Sequence, residues 1–528
     1  MNLVQRFVNG KIYTMEKEGQ MVEAFLVSNG NFVKCGTTEE MRKESADVEI
    51  DLQGQTVLPG MIDTHQHVVS YTESLQTVDL RNAKNWAEVK ERLIERAKTT
   101  PKGCWIQGRR FNHEAWEEPV LPDRKELDSI SSEHPILISR YCMHVHVANT
   151  MALQMSGIDE NFVPTADNSV GRDENGEING ILLENAVSPV LAAIPPYFSN
   201  KKELKDAVYE VIQDMNRVGL TGIHPIQGKF CDAVEYMWLY QELDAEGRLP
   251  VRAYVSFDEY PNLGIQTGFG NEKVRYGFYK IYSDGSLGSR GAKLFEPYSD
   301  DPSTTGVLNY TQEEFDEMCQ KAYDMDLQVA AHAIGDAGLD VVLNCFEKLY
   351  NNNPKPGYRF RLIHIMCVNE SLIERMKKLP VIIDIQPKFV SSNVRWSEDR
   401  LGPERAKYAY AWRRLIDEGL MLTGGCDSPV EPMNPFLGIY GVVTRKDLEG
   451  YPAEGWHPEQ RVSVFEALEM YTRNAAFASF EEDIKGTIRE GKLADFIVLD
   501  RNPFEIEPDE LKEVQVLKTY LGGEKVYG

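Results

Sequence analysis

From about Lys201 to Gly424, apolar strand-like runs alternate with helix-patterned segments, and this alternation constrains the fold more than any other feature of the chain. Helix patterns over Glu203 to Val218 and Cys231 to Glu246 precede the strand-like runs Gly222-Ile-His-Pro-Ile and Val251-Arg-Ala-Tyr-Val-Ser. Further strand-like runs are Gly277-Phe-Tyr-Lys-Ile-Tyr-Ser, Leu327-Gln-Val-Ala-Ala-His, Arg361-Leu-Ile-His-Ile, Val381-Ile-Ile-Asp-Ile and Leu420-Met-Leu-Thr-Gly. Helix patterns at Thr311 to Met325, Asp336 to Tyr350, Ser371 to Lys378 and Tyr408 to Asp417 separate them. The pattern predicts a parallel α/β protein, with a TIM-like (β/α)8 barrel ahead of an open doubly wound sheet. No glycine-rich phosphate or dinucleotide fingerprint follows any of these strands.

The ends of the chain have another texture. Short runs at Arg6-Phe-Val, Lys11-Ile-Tyr-Thr, Ala24-Phe-Leu-Val and Asn31-Phe-Val-Lys are punctuated by Asn9-Gly10 and Asn29-Gly30, a strong hairpin signal. Ala494-Asp-Phe-Ile-Val-Leu-Asp and Val514-Gln-Val-Leu-Lys-Thr-Tyr also read as strands, and Gly522-Gly523 makes a turn before Lys525-Val-Tyr. Residues 1–56 and 480–528 are therefore expected to build one composite β-sandwich, with the barrel over 57–479 inserted between its halves. Between about 70 and 200 the alternation is interrupted by a loop-rich segment, an inserted subdomain that could cover a site.

Polar residues recur where a barrel keeps its chemistry, at the C-terminal ends of the strands. The run Val57-Leu-Pro-Gly-Met-Ile-Asp-Thr-His-Gln-His67 ends on His65 and His67. Side chains at i and i+2 leave the same face of a strand, so these two imidazoles could share one metal ion. His332 ends Val329-Ala-Ala-His, His364 ends Leu362-Ile-His, and Asp427 follows Thr423-Gly-Gly-Cys. From His332 to His364 is 32 positions and from there to Asp427 is 63, spacings of one and about two βα units. A strand-end histidine taken singly is usually a hydrogen-bonded core residue. Lys280, set among Tyr279, Ile281 and Tyr282, is more unusual. At a strand mouth its ammonium could snorkel to water. If buried, desolvation lowers its pKa, and a neutral amine can add carbon dioxide to become a carbamate, an anion suited to bridging two divalent ions. Six such residues in the order His-x-His, Lys, His, His, Asp point to a metal centre.

On these residues the chain resembles the amidohydrolase superfamily, specifically its amidohydrolase-3 branch of uncharacterised hydrolases and N-substituted-formamide deformylases. The resemblance runs nearly end to end. It is carried by Pro59-Gly-Met-Ile-Asp-Thr-His-Gln-His67, Lys280-Ile-Tyr-Ser-Asp-Gly-Ser-Leu-Gly-Ser-Arg290, His332-Ala-Ile-Gly-Asp336, His364, Asp427-Ser-Pro and Gly491-Lys-Leu-Ala-Asp-Phe-Ile-Val-Leu-Asp500. Within the insertion, His144 with Asn149 and Ala152-Leu, then Gly180-Ile-Leu-Leu-Glu184, fit the same branch, whereas Tyr141-Cys-Met departs from it. The resemblance implies that His65, His67 and Asp427 hold one divalent metal ion and that His332 and His364 hold a second. A carboxylated Lys280 would bridge them. Zinc suits these ligands, and manganese, cobalt or iron would be tolerated. The implied reaction is hydrolysis of a C–N bond, amide or N-formyl, in a small molecule, with Asp427 as general acid–base. Trp116, His144 and Arg290 are candidate substrate contacts with scaffold roles as the alternative, and His224 reads as structural or as a support behind the ligands.

Three other readings compete. A single metal beside a free Lys280 would suit deaminase chemistry. A catalytically silent scaffold would be expected to have lost ligands, yet none of the six is missing. An iron oxygenase using His65, His67 and Asp427 would leave Lys280, His332 and His364 unexplained. Fifty-seven basic residues against 82 acidic ones, a net charge of -25, argue against a general affinity for nucleic acid or an anionic membrane. The N-terminus lacks the apolar core of a signal peptide, and no stretch reaches the ~18 apolar residues of a spanning helix. The eight cysteines include no C-x-x-C pair, so a cytoplasmic protein with reduced thiols is expected. A homodimer is the default assembly.

Overall fold

Eight strands run parallel in one sheet: β1 (Met61–Gln66), β2 (Leu220–Gln227), β3 (Arg252–Phe257), β4 (Val274–Tyr282), β5 (Gln328–Ala333), β6 (Phe360–His364), β7 (Val381–Ile385) and β8 (Met421–Gly424). Their order in the sheet is their order in the chain. A parallel sheet covered by helices must be apolar on both faces, and β1, β3, β6 and β7 are buried at every position. The two ends of the sheet meet at the C-terminal mouth. There Asp427 N donates to His65 O at 2.7 Å and His67 N donates to Ser428 O at 2.9 Å. The result is a (β/α)8 barrel whose ring is joined through the backbone of three candidate metal ligands. The computed structural model describes residues 3–140, 145–160, 162, 169–227, 233–261 and 264–528.

The helices follow from local sequence. Gln312–Asp324, between β4 and β5, starts at a capping box in which Thr311 accepts from Glu314 N and the Glu314 carboxylate accepts from Thr311 N. It buries Phe315, Cys319, Ala322 and Tyr323, the three-to-four spacing of one helix face. The expected helix over Tyr408 to Asp417 forms only from Trp412 to Asp417. Tyr410 has a φ of 51°, a left-handed backbone that no α-helix can contain, and its N–H is given to Met366 O.

The termini form two packed sheets. One joins Asn31–Gly36, Ala24–Ser28, Gln5–Val8 and Val48–Asp51, all N-terminal. The other mixes both ends: Phe496–Leu499 lies antiparallel to Thr56–Pro59, and Val516–Leu521 lies on its far side. Phe7, Phe25 and Phe32 of the first sheet meet Phe496 and Tyr520 of the second, with Phe7 and Phe496 ring centroids 5.0 Å apart. A buried two-point pair, Arg252 Nε and Nη2 with the Asp495 carboxylate at 2.7 and 3.0 Å, ties β3 to this sandwich.

The barrel and sandwich make one compact unit, Met1–Val69 with Lys205–Gly528, and Ser70–Leu204 makes another. The second unit has its own six-stranded sheet, in the order Ser169–Arg172, Ile178–Leu183, Val145–Ala148, Ile136–Arg140, Ile106–Phe111, Val78–Asp79. Its core includes Leu93, Phe111, Ile138 and Val147. No helix among the described residues is long and apolar enough to cross a membrane.

Candidate metal centre and its cavity

The end of β1 presents His65 and His67, and the loop leaving β8 brings Asp427 against them. Asp427 Oδ1 lies 3.2 Å from His65 Nε2 and 3.3 Å from His67 Nε2. Ligand atoms of these three residues all lie within 4.8 Å of one another. The imidazoles continue in a row: His65 and His364 ring centroids are 5.1 Å apart, and His364 and His332 are 4.5 Å apart. Backbone conformation serves this convergence, since His364 and Asp427 have φ values of 77° and 57°, a region non-glycine residues seldom occupy.

Lys280, on β4, is buried. Among the described residues its Nζ has no hydrogen-bond partner, and His65 Nδ1 has none either. Burial pushes the Lys280 ammonium down to about 7, against the opposing pull of Asp427 and Asp384. Burial likewise lowers His65 to about 3, and burial with the His332 ring lowers His364 well below the usual histidine value. Burial alone would raise Asp427, but the neighbouring His65 ring and hydrogen bonds with His65 and His67 hold it well below the usual carboxylate range. The unprotonated imidazoles of His65 and His364, an ionised carboxylate and a buried amine are a donor set that suits a divalent cation. The residues fit the metal.

Support for the candidate ligands comes from residues the sequence reading passes over. Gln386, just beyond β7, bonds His364 Nδ1 through its side-chain oxygen. Asp63 accepts from His65 N at 2.9 Å and from Cys426 N, and burial raises its carboxyl to about 6 against those bonds. Beneath them lies Arg361, fully buried on β6. Its Nε donates to Asp384 at 2.5 Å, its Nη1 faces His224 Nδ1 at 3.2 Å, and its Nη2 donates at 3.1 Å to the carbonyl of Thr64, the residue before His65. A charged residue in an apolar strand is the signal that could have found Arg361 and Asp384.

Gly425 admits no side chain. A Cβ there would sit 2.6 Å from His65 N and 2.7 Å from His65 Cβ. Gly425→Ala is therefore expected to force β1 and β8 apart at the site, costing about 1–3 kcal/mol and reducing bound metal. Thermal unfolding and elemental analysis test this. An unchanged melting temperature with unchanged metal would show that the strand ends separate freely.

The sequence model of the amidohydrolase family matches residues 48–527. The chain belongs to the amidohydrolase family. It is 35% identical over 527 residues, 98% of each chain, to the amidohydrolase-family protein YtcJ of Bacillus subtilis. It is 26% identical over 537 residues to the N-substituted formamide deformylase of Arthrobacter pascens, covering 98% of this chain and 97% of that one. Among solved structures, an uncharacterized metal-dependent hydrolase from Pyrococcus horikoshii superposes with a TM-score of 0.78 at 30% identity, covering 96% of this chain and 99% of that one.

In this amidohydrolase, His332, His364 and Asp427 open onto a cavity of about 280 Å³. Leu287, Met366, Phe389, Trp396 and Val430 supply an apolar wall, and Ser286, Asn393 and Glu431 add polar groups. Arg290 is not among the residues that line this cavity. Trp116 is buried in the core of the Ser70–Leu204 unit, its indole N–H donating to Ala83 O at 2.8 Å, which is the packing alternative. Arg290 donates from two nitrogens to Asp300, at 3.1 and 2.9 Å. His144 lies outside the described residues. His224 is buried against Arg361 and is not among the residues lining the cavity.

Proposed function

We propose that this chain is a metal-dependent amidohydrolase that cleaves a C–N bond, amide or N-formyl, of a small molecule, with Asp427 as general acid–base. The observation that carries the reading is the convergence of imidazole, amine and carboxylate groups from four strands and the β8 loop beside a cavity whose remaining wall is largely apolar. The name of the Arthrobacter pascens relative, an N-substituted formamide deformylase, supports the bond type. The Pyrococcus horikoshii metal-dependent hydrolase supports the use of metal.

His65, His67 and Asp427 would hold one divalent ion and His332 and His364 a second, with Lys280 between them as its carbamate. Nitrogen and oxygen donors favour zinc and tolerate manganese, cobalt or iron. Ions so held supply Lewis acidity to the carbonyl and acidify the attacking water. The chain's own residues do the rest. Asp427, ionised at the mouth, accepts the proton that water releases as its oxygen bonds to the carbonyl carbon. It returns that proton to the nitrogen as the C–N bond breaks, so a carboxylic acid and an amine leave and the carboxylate is restored. Gln386 fixes the His364 ring through Nδ1. Met366, Phe389 and Trp396 exclude bulk water from the reacting bond.

One observation favours a second reading. The only three-residue group of candidate ligands converging within 4.8 Å among the described residues is His65, His67 and Asp427. This would suit one ion, a free Lys280 and deaminase-type hydrolysis. Elemental analysis of purified wild type, with a screen of amides and N-formyl amines, tests both. About two divalent ions per chain, activity lost to a chelator and recovered with zinc or manganese, is the expected result. One ion with turnover of an aromatic amine instead would favour the deaminase. No ion and no turnover after metal addition would overturn both.

A further inference from the structure

One acidic side chain of the cavity has no part in the reaction proposed above. Glu431, four residues beyond Asp427, lines the same cavity as Asp427, His332 and His364 and is 9% exposed. Its Oε2 lies 3.3 Å from Lys388 Nζ, which also donates to Ser392 Oγ at 2.8 Å. Lys388 is its charged partner among the described residues, and Lys388 is not one of those lining the cavity. The cavity therefore meets a carboxylate with its counterion behind it. The arrangement is built from two loops: Lys388 lies two residues after Gln386 on the loop leaving β7, and Glu431 lies on the loop leaving β8. Apart from Asp427, His332, His364 and Glu431 itself, the lining carries no ionisable group, and Leu287, Met366, Phe389, Trp396 and Val430 form its apolar part. In such surroundings a fixed carboxylate attracts a cation or hydrogen-bond donor and repels a second anion far more strongly than it would in water.

We propose that Glu431 sets the substrate class: amide-type molecules whose apolar body carries a hydrogen-bond donor, an ammonium above all, and not those carrying a carboxylate. The proposal rests on the reading of this cavity as the substrate site of a hydrolase.

The test uses three compounds that cannot be hydrolysed and share one ring: 2-phenylethylammonium, 2-phenylethanol and 3-phenylpropionate. Each is titrated calorimetrically into the metal-replete full chain, as wild type, as Glu431→Gln and as the double variant Glu431→Gln with Lys388→Met. The double variant removes both charges together, so no buried ammonium is left unpaired if the single variant folds poorly. Wild type is expected to bind the ammonium compound at least roughly tenfold more tightly than the alcohol, and both variants to lose that preference. The carboxylate compound, which the metal ions also attract, is expected to gain about tenfold in Glu431→Gln, where Lys388 lacks its counterion, and to lose that gain in the double variant. An unchanged order of the three ligands across the proteins would overturn the proposal, as would failure of wild type to bind the ammonium compound. These are equilibrium readouts without turnover. A protein that shows the charge reversal but hydrolyses no amide keeps the role of Glu431 and loses the reaction. One that hydrolyses amides with the same charge preference in Glu431→Gln loses the role of Glu431 alone.

Discussion

Asp427→Asn is expected to lower kcat by at least about a hundredfold, the lower end of what a positioned general acid–base contributes, in a chain that stays folded. Asparagine keeps the volume and the Oδ1 acceptor that lies 3.2 Å from His65 Nε2 and 3.3 Å from His67 Nε2. It also tolerates the left-handed backbone at this position, a φ of 57°, better than most residues do. The backbone bond from residue 427 N to His65 O, which helps close the barrel, is untouched. What is lost is a negative charge beside the imidazoles and a group able to carry a proton from water to the leaving nitrogen. Substrate binding through Met366, Phe389 and Trp396 should persist, so KM should change much less than kcat. The measurement is kcat and KM on the best substrate of the amide screen, together with metal content and thermal midpoint. Turnover within about threefold of wild type would remove Asp427 from the proton path. Loss of metal in step with loss of rate would make its ligand role the dominant one.

The barrel is legible in the sequence because parallel strands buried on both faces leave unbroken apolar runs. Val381-Ile-Ile-Asp-Ile is such a run, and it is buried throughout. The six candidate ligands are legible for the converse reason: each is a polar residue at the end of, or inside, a run that burial would otherwise keep apolar. The same criterion reaches Arg361 and Asp384, whose ion pair lies in the barrel interior. Their pairing with each other and with His224 joins β2, β6 and β7, and no local pattern encodes a contact between separated strands. The cavity wall is less legible still. Phe389, Asn393 and Trp396 come from the stretch between β7 and β8, where a short helix at Phe389–Asn393 is followed by Ser397–Ala406, itself interrupted at Gly402 and Pro403. Segments so short carry no amphipathic period to read. Trp116 and Arg290 show the opposite limit. Their residue types suit substrate contact, but the sequence does not reveal the bonds of Trp116 to Ala83 O and of Arg290 to Asp300.

Lys280→Ala carries the other large expected effect, because it separates two metal centres that the other five candidate ligands would serve equally well. A buried lysine with no hydrogen-bond partner among the described residues, on a strand whose Phe278 and Tyr279 are also buried, is costly as an ammonium. The cost falls if the amine is neutral, and the depression to about 7 by burial makes the neutral form abundant at neutral pH. Addition of carbon dioxide to that amine forms a C–N bond and releases one proton, leaving an anion where two cations need one. Removing the side chain is therefore expected to lower metal content from about two ions per chain to one or fewer, with activity falling at least about a hundredfold. A short carboxylic acid such as acetate or propionate fits the space the side chain vacates and carries the missing anionic oxygens. Partial return of both metal and activity in its presence is expected from a bridge and not from a lysine that merely packs. The decisive comparison is elemental analysis of wild type and variant, each with and without the acid. Metal content indifferent to Lys280 would remove the bridge and promote the one-ion centre of His65, His67 and Asp427. Loss of metal that no acid restores would make Lys280 a structural requirement of the site and not an anionic ligand within it.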